Sequence, residues 1–189
     1  EVWDAVETIA STANNVTGGK SGNGLWRYDT PTISGVTFSA SYDSTAETGS
    51  VSSYADMGVK IAPEAVEGLE IGYATGEFEE TAAIGDVDVS TVYVKYAYGP
   101  VTVSYQESEE DATTSANSND SEEWGISYAV SDDLSISYGE HTHNDGLDSS
   151  ANNQESSGMS ISYTMSGMTI AASFNETANA DNSSAEDNE

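Results

Sequence analysis

Apolar and polar residues alternate along most of this chain, and this two-residue period restricts the fold more than any other feature of the sequence. The segment 36–42 reads Val-Thr-Phe-Ser-Ala-Ser-Tyr. The same alternation recurs in the segments 69–73, 101–106, 124–130, 134–138, 159–165 and 168–174. Successive side chains of a β-strand point to opposite faces, so each segment is predicted to be a strand with one apolar and one polar face.

Short and long connections follow one another between these segments. The short ones are turns at Ser34-Gly35, 65–68, 98–100, 131–133 and Ser166-Gly167. The long ones are polar and lie near 43–53, 79–86, 107–121, 140–156 and from 175 onward. This order predicts an antiparallel up-and-down meander with all short turns at one end of the sheet, as in outer-membrane barrels.

About ten strands are expected, with lengths near 9–11 residues that suit a tilted strand crossing a bilayer. They cover 25–33, 36–44, 54–63, 68–78, 87–98, 101–109, 122–130, 134–142, 157–165 and 168–176. The polar faces carry mainly Ser, Thr, Gly and Ala, as suits a lumen, and nearly every apolar face carries an aromatic residue, as in an aromatic girdle. The predicted fold class is therefore all-β, a transmembrane antiparallel β-barrel. A soluble β-sandwich remains the alternative, because its strands alternate as well.

Charge narrows the range of functions. The chain has 33 Asp and Glu against 4 Lys and Arg, a net charge of −29, and no cysteine. Nucleic-acid binding needs a basic surface, so it is excluded. The sequence contains no run of 18 apolar residues, so no transmembrane helix is predicted. Because it contains no cysteine, no disulfide framework or Cys-ligated metal is expected.

The first 24 residues depart from the alternation. Val2, Val6 and Ile9 recur at helical spacing, and a stretch rich in Gly, Asn and Ser follows. A short helix is predicted there. The chain begins at Glu1 without methionine, so a mature form or a fragment is expected.

One region resembles a known family. The segment 25–31 reads Leu-Trp-Arg-Tyr-Asp-Thr-Pro, and a Gly-containing turn then leads to Phe-Ser-Ala-Ser-Tyr at 38–42. This order resembles the general bacterial porins, after their long inward-folded loop. The turns at 63–69 (Pro-Glu-Ala-Val-Glu-Gly-Leu) and 98–101 (Tyr-Gly-Pro-Val) are similar to porin turns as well.

The resemblance implies a barrel of about 16 strands, usually trimeric, whose third outside loop narrows the pore. It implies three parts: an inward constriction loop with a short helix at 1–24, a transmembrane meander at 25–177, and an acidic outside loop at 178–189. The chain would then be a fragment that begins after the fifth strand and stops in the last outside loop. A closed barrel of about ten strands is the alternative.

The resemblance also implies a pore constriction with acids on the inward loop and bases on the facing wall. Strand parity places Lys60 and Lys95 on the polar face of their strands. It also places Arg27 and Asp29 on the same face of one strand, so both could face the lumen. The predicted constriction residues are Glu1, Asp4, Glu7, Arg27, Asp29, Lys60 and Lys95. Because acids outnumber bases so strongly, we expect a cation preference.

Two further features suggest metal chemistry. Carboxylates in the loops, with Glu109, Asp111, Asp145 and Asp148 as candidates, offer oxygen ligands for Ca²⁺ but lack EF-hand spacing. His141 and His143 flank Thr142 on the predicted polar face, where they could bind a metal or serve a barrel hydrolase. Otherwise no cofactor and no catalytic residue is expected.

These observations predict a bacterial outer-membrane porin. It would be a passive channel for small hydrophilic solutes and ions, embedded in outer-membrane lipid as a homotrimer, and not an enzyme. An outer-membrane barrel enzyme and a soluble acidic β-rich surface protein are the alternatives.

Overall fold

Ten β-strands form the regular structure of the residues that the computed structural model describes. It describes residues 24–44, 51–80, 85–113, 118–146 and 153–180. The strands are β1 Trp26–Asp29, β2 Val36–Asp43, β3 Val51–Ile61, β4 Leu69–Glu80, β5 Val87–Tyr98, β6 Val101–Ala112, β7 Asn119–Ala129, β8 Leu134–Asp145, β9 Gln154–Met165 and β10 Met168–Ala178.

The strands build one antiparallel sheet in which each strand pairs with the next along the chain. This up-and-down order confirms the predicted meander. β1 and β10 are the two edges of the sheet, which does not close on itself within the described residues, so they do not form the alternative closed barrel of ten strands. Across the same residues, no helix is long and apolar enough to cross a membrane.

The shortest turns are two-residue hairpins at one end of the sheet, called here the turn end; the opposite end is the loop end. Met165 pairs with Met168 across Ser166 and Gly167, whose φ angles are 51° and 82°. Positive φ at both central residues matches the type I′ turn, whose twist suits a hairpin. A Cβ at Gly35, in the equivalent turn, would lie 2.2 Å from the carbonyl oxygen of Ala62, so this position requires glycine.

The two faces of the sheet are inverted relative to a soluble protein. Buried side chains lie on the polar face, which includes Gln106, His141 and Gln154. Exposed side chains lie on the apolar face: Phe38 is 57% exposed and Phe174 is 61% exposed. We call the first the lumenal face and the second the lipid-facing surface. A sheet that curves around its polar face and presents apolar residues outward is the wall of a membrane-spanning barrel.

Several element boundaries differ from the prediction. β1 has only 4 residues rather than the expected 25–33. Pro31 lacks a backbone N–H and cannot continue the hydrogen-bond ladder. Conversely, β6, β7, β8 and β9 extend well into segments that were predicted to be loops. Polar residues there still pair strand to strand, because the ladder is formed by the backbone. The helix predicted within 1–24 lies outside the described residues.

Candidate functional site

The lumenal face is the surface that could conduct solutes, and three of the four bases of the chain lie on it. It is formed by odd-numbered residues of β1, β2, β5, β7, β8 and β10 and by even-numbered residues of β3, β4, β6 and β9, as the strand register requires. Arg27, Lys60 and Lys95 all have this parity. A base on the opposite surface would face lipid, at a cost of about 2–4 kcal/mol near the midplane.

Arg27 forms an ion pair with its neighbour on the same strand face. Its Nε lies 3.0 Å from Oδ2 of Asp29, and its Nη2 lies 3.0 Å from Oδ1. This two-point geometry is the preferred contact between a guanidinium and a carboxylate. The sequence places the two residues two positions apart on a strand, and this spacing alone brings them together.

Glu70 contacts a lysine on one neighbouring strand and a tyrosine on the other. Its Oε2 lies 3.6 Å from Nζ of Lys60, and its Oε1 accepts a hydrogen bond of 2.8 Å from the Tyr93 hydroxyl. Lys95 stands directly opposite Glu70 in the register of β4 and β5. Glu70 was not predicted as a site residue. Its parity within the hairpin of β3 and β4 is the signal that could have identified it.

The ring of Tyr93 lies against the backbone of Gly72. A Cβ built at Gly72 would lie 2.0 Å from Cε1 of that ring, so only glycine leaves room for it. Tyr93 is 1% exposed and points its hydroxyl to Glu70. The glycine therefore allows an aromatic ring to lie flat on the wall and to fix the Glu70 carboxylate.

A hydrogen-bonded polar layer continues along the lumenal face. The Thr91 and Ser108 hydroxyls lie 2.8 Å apart, and the Gln106 amide donates to Thr91 at 3.1 Å. All three side chains are buried. Buried polar groups are stable only when they are hydrogen-bonded, so this layer forms a polar wall without strong charge.

More carboxylates than bases lie on the described lumenal face. Besides Asp29 and Glu70, four further acids whose side chains the structure describes have lumenal parity: Asp43, Asp56, Glu110 and Glu123. Asp56 accepts a hydrogen bond of 2.5 Å from the Tyr54 hydroxyl. Among the lumenal residues whose side chains the structure describes, there are therefore six acids and three bases.

The remaining predicted site residues lie partly outside the described part of the chain and partly on β6 and β8. Glu1, Asp4, Glu7 and Asp148 lie outside the described residues, and only the backbone of Asp145 is described. Glu109 and Asp111 have lipid-facing parity on β6, and Asp111 stands opposite Asp88. Among the described residues, no three His, Cys, Asp or Glu side chains are arranged to hold a metal ion.

The inverted sheet defines the class of protein, a membrane-spanning β-barrel with a polar interior. Residues 2–186 match the family model of Gram-negative porins, and the chain belongs to this family. No curated protein matches the sequence significantly. The family confirms the predicted porin resemblance and places the protein in the bacterial outer membrane. It points to a channel rather than to an enzyme.

Proposed function

We propose that this porin is a passive diffusion channel for small hydrophilic solutes and ions, and that it prefers cations. The observation that carries the proposal is the excess of carboxylates on the lumenal face, where the described side chains include six acids and three bases. Charged side chains along a pore set its ion preference, and carboxylates favour cations.

The arrangement of the bases supports the same proposal. Arg27 is paired with Asp29, and Lys60 is paired with Glu70. A paired base contributes little to the long-range field, because the opposite charges cancel beyond a few ångströms. The six acids outnumber the three bases by three unit charges, so these residues give the wall a net negative charge. The resulting potential concentrates cations in the lumen.

The reversal potential of the channel in a planar bilayer under a salt gradient tests this proposal. We expect a sign that reports cation flow, and an anion-selective potential would refute it. β7 offers a matched pair of variants, because Glu123 is lumenal while the adjacent Glu122 has lipid-facing parity. Glu123→Gln should lower the cation preference, and Glu122→Gln should leave it nearly unchanged.

The finer architecture also belongs to this proposal. By the resemblance, residues 1–24 form the constriction loop that carries Glu1, Asp4 and Glu7, and three copies assemble into a trimer. Native mass spectrometry of the detergent-solubilised protein measures the number of copies directly. A mass of one protomer under conditions that preserve known trimeric porins would contradict the trimer.

A further inference from the structure

Both histidines of the chain lie side by side on the lumenal face near the loop end of β8. His141 is 1% exposed and His143 is 6% exposed. Their rings are nearly parallel, with an interplanar angle of 11° and centroids 6.4 Å apart. They are separated by one residue on a strand, so both side chains project from the same face.

His141 has an exceptional environment. Among the residues that the structure describes, neither its Nδ1 nor its Nε2 has a hydrogen-bond partner, although both atoms are buried. Burying an unsatisfied polar group is destabilising, and such groups are few in native proteins. A ligand that binds a ring nitrogen would remove this cost.

The spacing of the two rings suits a common metal ion. Two imidazoles bound to one ion, with metal–nitrogen distances of about 2.0–2.1 Å, have ring centres roughly 5–6.5 Å apart. The observed 6.4 Å corresponds to the linear limit of that range, so rotation of both side chains has to close the rings by about 1 Å to bring one nitrogen of each onto the ion. Imidazole pairs favour Cu²⁺, Ni²⁺ and Zn²⁺ over Mg²⁺ and Ca²⁺, which prefer oxygen.

The neighbouring strands add polar groups but no third histidine. Glu123 and Ser121 of β7 stand opposite His141 and His143, and Ser156 and Gln154 of β9 stand opposite them on the other side. The Glu123 carboxylate supplies negative charge beside a cation. No third metal-binding side chain converges with the pair within the described part of the chain, so water molecules would complete the coordination.

We propose that His141 and His143 form a two-histidine site for a divalent transition-metal ion on the lumenal wall. Cu²⁺ is the tightest-binding ion by the Irving–Williams order. The site is distinct from the Arg27–Asp29 and Lys60–Glu70 pairs, and its occupancy does not depend on whether the channel conducts cations.

Pulsed electron paramagnetic resonance of Cu²⁺ tests the site, because the chain has two histidines and no cysteine. An imidazole ligand gives a characteristic signal from its remote ring nitrogen, and only His141 and His143 can produce it. The full chain is purified in detergent without a histidine tag. Excess Ca²⁺ occupies the many surface carboxylates. We expect a spectrum of two imidazoles on one ion. Oxygen-only coordination would overturn the proposal.

Variants that replace one histidine at a time test whether both imidazoles bind the same ion. His141→Asn and His143→Asn should each lower the Cu²⁺ affinity at least tenfold and leave a one-imidazole spectrum. The control variant Glu109→Gln/Asp111→Asn removes two lipid-facing acids and should leave both affinity and spectrum unchanged. If one histidine replacement has no effect on the spectrum, the two residues do not share an ion and the proposal fails. The wild-type spectrum remains decisive even if a variant does not fold.

Discussion

Glu70 links lumenal groups on both strands that flank β4. Lys60 of β3 and Tyr93 of β5 contact it from the two strands that flank β4, and Lys95 stands opposite it in the register of β4 and β5. A single acid therefore holds one phenol and offsets the charge of Lys60. The charge of this part of the wall depends on that one residue.

Replacing Glu70 with Gln tests this dependence. The variant removes the partner of Lys60 and keeps an oxygen acceptor for Tyr93. One unit charge at about 8 Å in water changes the energy of an ion by about 0.5 kcal/mol, roughly a twofold change in local concentration at low salt. We expect the cation preference to fall by about that factor in reversal-potential measurements. Glu67→Gln, in an exposed turn, is the control. Equal selectivity of both variants would contradict the assignment.

Gly72 is a second position where one residue decides the local structure. In Gly72→Ala the new Cβ would overlap the Tyr93 ring, which is buried and has little room to move. Overpacking of this kind costs about 1–3 kcal/mol. We expect the urea midpoint of unfolding from lipid vesicles to fall accordingly.

The double variant Gly72→Ala/Tyr93→Ala isolates the cause of this loss. If the overlap with the ring is responsible, the Gly72 replacement should cost far less when the ring is absent, a coupling that a double-mutant cycle measures. Additive effects would show that Gly72 acts through something other than Tyr93.

At the scale of the element, each strand has one lumenal and one lipid-facing side. Adjacent residues therefore face water on one side and lipid on the other. In β9, Ile161 is 46% exposed on the lipid-facing surface, while Ser162 has lumenal parity. The same substitution at the two positions should therefore have unequal effects. Strand parity gave this assignment in advance, since the period of two is fixed by backbone geometry.

Ile161→Arg and Ser162→Arg measure this inequality. A lipid-facing arginine costs about 2–4 kcal/mol at the midplane and about 0–1 kcal/mol near the interface, whereas a lumenal one remains hydrated. We expect Ile161→Arg to lower the free energy of unfolding from bilayers by about 1 kcal/mol or more. Ser162→Arg should change that free energy little. A larger loss for Ser162→Arg would reverse the assignment of the two faces.

The strand ends were harder to predict than the strands. The segment 107–112 is rich in acids and was expected to belong to a loop, yet β6 continues to Ala112. Its partners, Asp88 opposite Asp111 and Glu122 opposite Glu107, are also acidic. Side-chain polarity misled the prediction, because backbone pairing with neighbouring strands extends the ladder past the point where the apolar pattern stops.

At the scale of the whole molecule, the lipid-facing surface predicts the solvent that the protein requires. Large apolar side chains such as Trp26, Tyr98 and Ile170 are exposed along the sheet. A protein that exposes apolar patches of this extent aggregates in water unless lipid or detergent covers them. We expect a single species by light scattering in detergent and aggregation once detergent is removed. A single, folded species without detergent would favour the soluble β-rich alternative.

The sequence by itself determined the fold class, the strand order and the face of each strand residue. These follow from the two-residue period and from turns such as Ser166-Gly167, which are properties of neighbouring residues. It also placed Arg27 beside Asp29, two positions along one strand. Only the tertiary structure decided contacts between strands: Glu70 with Lys60 and Tyr93, and the burial of His141. Those depend on the register and curvature of the sheet, which bring together residues far apart in the chain.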